Sequence, residues 1–266
     1  MASKARESVI GKTRTRAGIV FLLPAVLAAA FLCLKLVSPR TYVVVVQEDN
    51  VVEYLQGLFY LIAAVFAFIT AIRLLRTGVT ITTLLYVLFA LALLLTCLEE
   101  ISWGQRIFGI GSTDFFLQHN DQEEINLHNL DPIKPFLHSL YILAGCYGAF
   151  AWLLVPRKIT RHNKLSHLLL PPPILIFYFL PVAVFYAYWE LGTHVLGAFF
   201  SYEEYTFGRW MDIQDQEVPE LILALGLFFF AMINCRKAAS SNNLTDRKPG
   251  KAHGRKARTP QVVHRK

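Results

Sequence analysis

The segment Glu99–Arg106 holds the densest group of side chains that could do chemistry. Two adjacent carboxylates, Glu99 and Glu100, precede a hydroxyl, an indole, an amide and a guanidinium. On a helix, Glu99 shares a face with Ser102 and Trp103, because residues three and four apart are neighbours. The guanidinium can bind a carboxylate or an anionic headgroup through two parallel hydrogen bonds. An alternative role is a structural salt bridge at a helix end. From this segment we predict three catalytic residues, Glu99, Glu100 and Arg106, and two substrate-binding residues, Trp103 and Gln105.

A second polar stretch, residues 119–131, follows and supplies further acceptors and potential metal ligands. It contains two histidines together with several amides and carboxylates. A histidine acts as a general acid or base when it lies within hydrogen-bond reach of the group it serves. A solvated loop would also be polar, so composition alone does not separate the two roles. We predict His128 as a catalytic residue and Asn126 and Asn129 as substrate-binding residues.

Glu190 and His194 have the i, i+4 spacing that places both side chains on one face of a helix. Two such side chains bind one metal ion when a third ligand comes from elsewhere. The predicted cofactor is a divalent metal such as zinc, and its predicted ligands are His138, Glu190 and His194. The same pattern also occurs at interfacial helix ends without a metal. The chain contains no HExxH, cysteine-rich, GxSxG or glycine-rich phosphate motif.

Long apolar segments must position these groups. The mean hydropathy of the chain is +0.43 and 55% of its residues are hydrophobic. Six segments of about 18 to 22 residues are long enough to cross a hydrocarbon core of about 30 Å. They are 17–38, 51–72, 79–98, 135–155, 168–189 and 218–235. We predict an all-α integral membrane bundle of six transmembrane helices. Its predicted divisions are a basic arm at 1–16, the membrane domain at 17–236 and a basic disordered tail at 237–266. The β-branched run Val43–Val46 favours a short extended segment.

Charge is sorted between the two sides of these segments. With the N-terminus placed in the cytoplasm, the inner segments hold 21 of the 26 Lys and Arg, and the outer segments hold 17 of the 19 Asp and Glu. Excess Lys and Arg mark cytoplasmic loops, so we predict an N-in, C-in protein with two polar extracytoplasmic loops. Each predicted helix also has an ionisable residue near its outer end, which indicates a polar pocket at that face. These residues include Lys35, Glu53, Glu99, Glu100, His138, Glu190 and Glu220.

The polar segments resemble a family. Glu99–Gly109, followed by Asn126–Asn129, is similar to the signature of a group of uncharacterised bacterial multipass membrane proteins. The resemblance implies a location in the bacterial inner membrane and carries no established reaction. The chain is also loosely similar to the membrane hydrolase superfamily of alkaline ceramidases, which has seven spans and a histidine zinc site. It departs from that superfamily in having six predicted spans and no paired histidines on a late helix.

Three hypotheses for function remain open at this point. The first is a metal-assisted enzyme, a hydrolase or transferase, that acts on a lipid or lipid-linked substrate, with Glu53 as a further substrate-binding residue. The second is an ion-coupled transporter in which the same acids carry a proton or a cation. The inner halves of the predicted spans carry few ionisable residues, so the sequence shows no path through the membrane for this function. The third is a non-catalytic protein whose outer loops bind a membrane-protein partner. Membrane lipid is the expected partner, and no nucleic acid is expected because the basic residues suit anionic lipid. The sequence leaves the oligomeric state open.

Overall fold

Each of the six apolar segments forms a helix in a computed structural model of the protein. The structure describes residues 2–47, 50–120, 124–130, 132–155, 166–191 and 213–245. Within these ranges, six helical segments are long and apolar enough to cross a membrane. The chain is therefore a multipass membrane protein with an all-α fold. The helices are α1 (Ala2–Val37), α2 (Pro39–Val46), α3 (Val51–Leu75), α4 (Thr80–Glu100), α5 (Gln105–Phe108), α6 (Asp114–His119), α7 (Lys134–Leu154), α8 (Ser166–Leu169), α9 (Ile176–Leu191) and α10 (Glu217–Thr245).

The helix bounds differ from the predicted segments in ways that follow from local chemistry. α4 continues to Glu100, so both adjacent glutamates are helical. The fifth span begins with a short 3-10 turn at Pro173–Leu175 rather than at 168, since prolines cannot donate the backbone hydrogen bonds of a helix interior. α1 begins at Ala2, and α10 continues to Thr245, past the predicted boundary at 236. The connection between α9 and α10 (192–212) and the remainder of the tail (246–266) lie outside the described residues.

The prediction of an extended segment at Val43–Val46 is wrong, because these residues form the end of α2. Pro39 occupies the first turn of this helix, where its missing N–H costs no hydrogen bond. Tyr42 and Val46, four residues apart, are both buried in a cluster with Leu221 of α10. Burial of this helical face outweighs the strand preference of the valines, which depends strongly on context.

Small side chains let the central helices approach closely. α3 packs against α4 and α10, and α9 packs against α7 and α10. Ala63 and Ala67 of α3 are fully buried in the cluster that joins these helices. On α7, a Cβ atom added at Gly145 would lie 2.7 Å from the carbonyl oxygen of Phe179. Close helix contacts of this kind are typical of membrane proteins, in which apolar burial alone does not drive helix association.

The alternating direction of the helices brings several helix ends together. Gly78, with φ +75°, makes the tight turn between α3 and α4, so that α4 returns antiparallel to α3. The start of α3 and the end of α4 therefore lie at one end of the bundle, together with the start of α10. We call this the acidic end, because it carries the carboxylates of Glu53, Glu100 and Glu217.

Candidate functional site

The two glutamates at the end of α4 point to different surroundings. Successive residues of an α-helix are about 100° apart around its axis, given 3.6 residues per turn. Glu99 faces the polar segment that follows α4, where it binds Trp103 and Leu127. Glu100 faces the interior of the bundle, where it interacts electrostatically with carboxylates of α3 and α10. The predicted pair therefore belongs to two separate clusters.

Glu99 holds the loop onto the end of α4. Its Oε1 atom accepts a hydrogen bond from the indole Nε1 of Trp103 at 2.7 Å. Its Oε2 atom accepts bonds from the backbone N–H of Leu127 at 2.6 Å and of His128 at 3.1 Å. The Nδ1 atom of His128 lies 3.6 Å from the same oxygen. The structure thus brings Glu99 and His128 together, with the carboxylate serving as a hydrogen-bond acceptor for the loop backbone.

A buried network of polar side chains lies inside this loop. The hydroxyl of Ser102 donates to Oε2 of Glu124 at 2.8 Å, and Nδ2 of Asn126 donates to the same oxygen at 2.7 Å. Asn120 donates to the side-chain oxygen of Asn126 at 2.8 Å. Arg106 lies at the edge of the network, where its Nη2 is 3.7 Å from Oε1 of Glu124. We call Ser102, Asn120, Glu124 and Asn126, together with Glu99, the loop network.

The other predicted substrate-binding residues of the loop are also bonded or buried within the loop. Oε1 of Gln105 accepts a hydrogen bond from the backbone of Ile125 at 2.6 Å, and Nε2 of Gln105 donates to Ser112 at 3.0 Å. Asn129 is buried. Ser102 and Trp103 adopt left-handed backbone conformations, with φ of 45° and 54°, which cost about 1–3 kcal/mol each. The hydrogen bonds of the loop offset the strain at Ser102 and Trp103. Ser102, Trp103 and Gln105 therefore have a structural role within the loop.

A second cluster lies inside the bundle at the acidic end. Glu53 is in the first turn of α3, and Glu217 and Glu220 are in the first turn of α10. Carboxylates suit these positions because the helix dipole is positive at the N-terminus. Glu100 interacts electrostatically with all three, and all four residues are buried. We call these four glutamates the acidic cluster.

The surroundings of Glu100 do little to stabilise its charge. It lies at the C-terminus of α4, where the helix dipole disfavours negative charge. Only 7% of its surface is exposed. Throughout the described part of the chain, it accepts no side-chain hydrogen bond and is opposed by no cation. Burial of an unpaired charge costs several kcal/mol.

Gln56 adds a second unsatisfied group to the acidic cluster. Its Nε2 donates to Oε2 of Glu217 at 2.9 Å and to the backbone oxygen of Glu217 at 3.0 Å. Its Oε1 is buried and has no hydrogen-bond partner in the described structure. Unpaired buried acceptors are uncommon in folded proteins and call for a ligand, a proton donor or water.

Tyrosine rings line the cluster and connect it to a histidine. Tyr186 donates its hydroxyl to Glu220 and stacks on Tyr141 at 4.7 Å between ring centroids. The ring of His138 lies 4.8 Å from that of Tyr186. Nδ1 of His138 is 2.5 Å from Oε1 of Glu190. The His138–Glu190 pair and the acidic cluster therefore contact the same tyrosine.

Two of the three predicted metal ligands are thus in contact, namely His138 and Glu190. The third, His194, lies outside the described residues, so the predicted metal site stays a prediction. Among the side chains that the structure does describe, no three acids, histidines or cysteines are arranged to hold one metal ion. A further charged pair joins Lys35 and Asp215 at 2.5 Å, and Tyr42 also donates to Asp215.

Sequence reasoning missed Gln56, Glu217 and Tyr186 as members of the site. A usable signal was present, since Glu53 and Gln56 are three residues apart at the start of one helix, as are Glu217 and Glu220 at the start of another. That spacing places each pair on one helix face. Tyr186 gave no such signal because it lies within an apolar run.

The chain matches no family model, no curated protein and no solved structure. The resemblance of Glu99–Gly109 and Asn126–Asn129 to bacterial multipass proteins therefore stays a prediction.

Proposed function

We propose that the protein is an ion-coupled membrane transporter whose coupling ion is the proton, and that the acidic cluster is its proton site. The observation that carries the proposal is Glu100, a buried carboxylate at a helix C-terminus with three other carboxylates around it. A buried carboxylate that has no counter-charge among the described residues, as Glu100 has none, is stabilised when it binds a proton. A bound proton neutralises a carboxylate, and no cavity is needed to hold it.

The position of the cluster supports transport. Ionisable residues inside membrane segments face the bundle interior and typically belong to proton relays or ion pathways. The cluster joins the starts of α3 and α10 to the end of α4, so proton binding changes the repulsion between three helices at once. A ligand shifts a conformational equilibrium when it interacts more favourably with one conformation than with the other. The change in repulsion between the three helices provides such a difference.

The location of the protein is a further part of the proposal. The sorting of Lys and Arg favours an acidic end that faces away from the cytoplasm, and the resemblance stated above favours a bacterial inner membrane. In this arrangement the acidic cluster takes up protons from the extracytoplasmic side.

A second candidate function is acid–base catalysis on a lipid substrate. The observation that favours it is the His138–Glu190 pair at 2.5 Å, which contacts Tyr186 beside the cluster. A histidine oriented by a carboxylate is a common general base. Product formation from mixed-lipid vesicles, lost in His138→Ala, would support this candidate. The loop residues Glu99 and Arg106 favour it less, because the loop itself engages them.

The proposed proton site is tested by pH jumps on proteoliposomes adsorbed to a solid-supported membrane. Wild-type protein is expected to give a transient charge displacement when protons bind. Glu100→Gln is expected to reduce it to the level of protein-free liposomes. Glu99→Gln is the matched control, since it removes the neighbouring carboxylate from the loop network, and it should retain the signal. A wild-type signal equal to protein-free liposomes would refute proton binding. A sodium or potassium concentration jump that gives the larger signal would identify a metal cation as the ligand instead.

A further inference from the structure

The loop after α4 presents apolar side chains outward. Ile107, Phe108 and Ile110 have 60%, 75% and 52% of their surfaces exposed. We call these three residues the apolar loop tip. Trp103, four residues before Ile107, is 45% exposed, and its indole N–H is bonded to Glu99.

The interior of the same loop is polar. Ser102, Gln105, Glu124 and Asn126 are buried and hydrogen-bonded to one another or to the loop backbone. A loop surrounded by water has the opposite arrangement, with apolar side chains inside and polar ones outside. Large exposed apolar groups on a protein surface mark contact with another molecule or with a membrane.

We propose that the apolar loop tip inserts into the lipid bilayer at the acidic end of the protein. The tip belongs to the loop that joins two membrane-crossing helices, α4 and α7. Leu95 near the end of α4 and Phe136 near the start of α7, the two helices that this loop joins, are exposed apolar residues of membrane-crossing segments. Side chains of the tip next to such residues would contact the acyl chains of the lipid.

The neighbouring side chains fit the boundary between acyl chains and headgroups. An exposed tryptophan ring with a bonded N–H is typical of this boundary. The side chain of Arg106 is 51% exposed beside the tip, where its guanidinium can reach lipid phosphates while its stem packs against the apolar groups. The loop network then fixes the tip at a constant depth, because its hydrogen bonds hold the loop to α4.

The insertion is tested by the depth of spin labels on the full chain in nanodiscs of phosphatidylethanolamine and phosphatidylglycerol. The four native cysteines are replaced by alanine, and single cysteines are introduced as Phe108→Cys and Ile110→Cys. Leu143→Cys, on the exposed apolar face of α7, is the lipid control, and Gln118→Cys, at an exposed polar position of α6, is the water control. Collision with oxygen reports acyl chains, and collision with a water-soluble nickel complex reports solvent.

Labels at 108 and 110 are expected to favour oxygen over the nickel complex at least severalfold, as at 143, whereas the label at 118 shows the reverse preference. Nickel accessibility at 108 and 110 equal to that at 118 would overturn the proposal and place the tip in water. Low accessibility to both reagents would also overturn it and assign the tip to a protein contact. Because two tip positions are labelled in separate variants, the test still gives a result if one of the variants fails to fold.

Discussion

Removal of the Glu99 carboxylate should release the loop from the end of α4. In Glu99→Ala, the backbone N–H groups of Leu127 and His128 lose their acceptor at 2.6 and 3.1 Å. A hydrogen bond to a charged group contributes about 1.5–3 kcal/mol net. The lower figure for both bonds gives about 3 kcal/mol. Since about 1.4 kcal/mol is a factor of ten, the two amides should exchange about 100-fold faster.

Hydrogen exchange measured by mass spectrometry on peptides that cover 124–130 is the appropriate assay, because it reports local opening rather than global unfolding. Glu99→Gln keeps a neutral oxygen as acceptor, so it should accelerate exchange by about tenfold, in line with the smaller contribution of neutral bonds. Glu100→Gln is the control, since the Glu100 side chain makes no hydrogen bond within the described structure and should leave this peptide unchanged.

Two results would refute the division of the glutamates into separate clusters. One is exchange in Glu99→Ala within threefold of wild type, which would show that the carboxylate does not hold the loop. The other is equal acceleration by Glu99→Ala and Glu100→Gln, which would show that both side chains act on the same segment.

Two further predictions concern packing and the tyrosine beside the acidic cluster. Gly145→Ala should destabilise the protein by about 1–3 kcal/mol and lower its melting temperature in detergent, because the new Cβ would lie 2.7 Å from the backbone oxygen of Phe179. Gly18→Ala, also helical but with nothing within 4 Å, should be neutral or slightly stabilising, and an equal loss in both variants would contradict the packing argument. Tyr186→Phe removes the hydroxyl that donates to Glu220 and should cost about 1.5–3 kcal/mol, measured by thermal unfolding followed by circular dichroism. An unchanged melting temperature would show that this bond does not contribute.

The spans could be predicted from sequence because length and hydropathy alone determine which segments can cross a membrane. The order of the spans and the charges of the segments between them also predict which carboxylates lie at the same end of the bundle. The helix at Pro39–Val46 could not be predicted, since its stability comes from burial of Tyr42 and Val46 against residues distant in sequence, including Leu221. Local strand preference gave the wrong answer there.

The candidate site could be predicted only in part. The charge pattern predicts that Glu53, Glu100 and Glu220 lie near helix ends at one face of the bundle. It also groups Glu99 with Glu100, although adjacent helical residues point in different directions. The polar loop suggested catalysis because of its composition. In the structure its side chains bind one another, as Glu124 and Asn126 do. Such pairing depends on the folded loop and leaves no periodic signal in the sequence.

The most direct test of the central claim is infrared difference spectroscopy of the reconstituted protein during pH titration. Protonated carboxyl groups have a C=O stretching band that is separate from the bands of carboxylates. If the acidic cluster binds protons at Glu100, wild type should show a titrating carboxyl band that is missing in Glu100→Gln and retained in Glu99→Gln. A titrating band of unchanged intensity in Glu100→Gln, or no such band in wild type, would contradict the account.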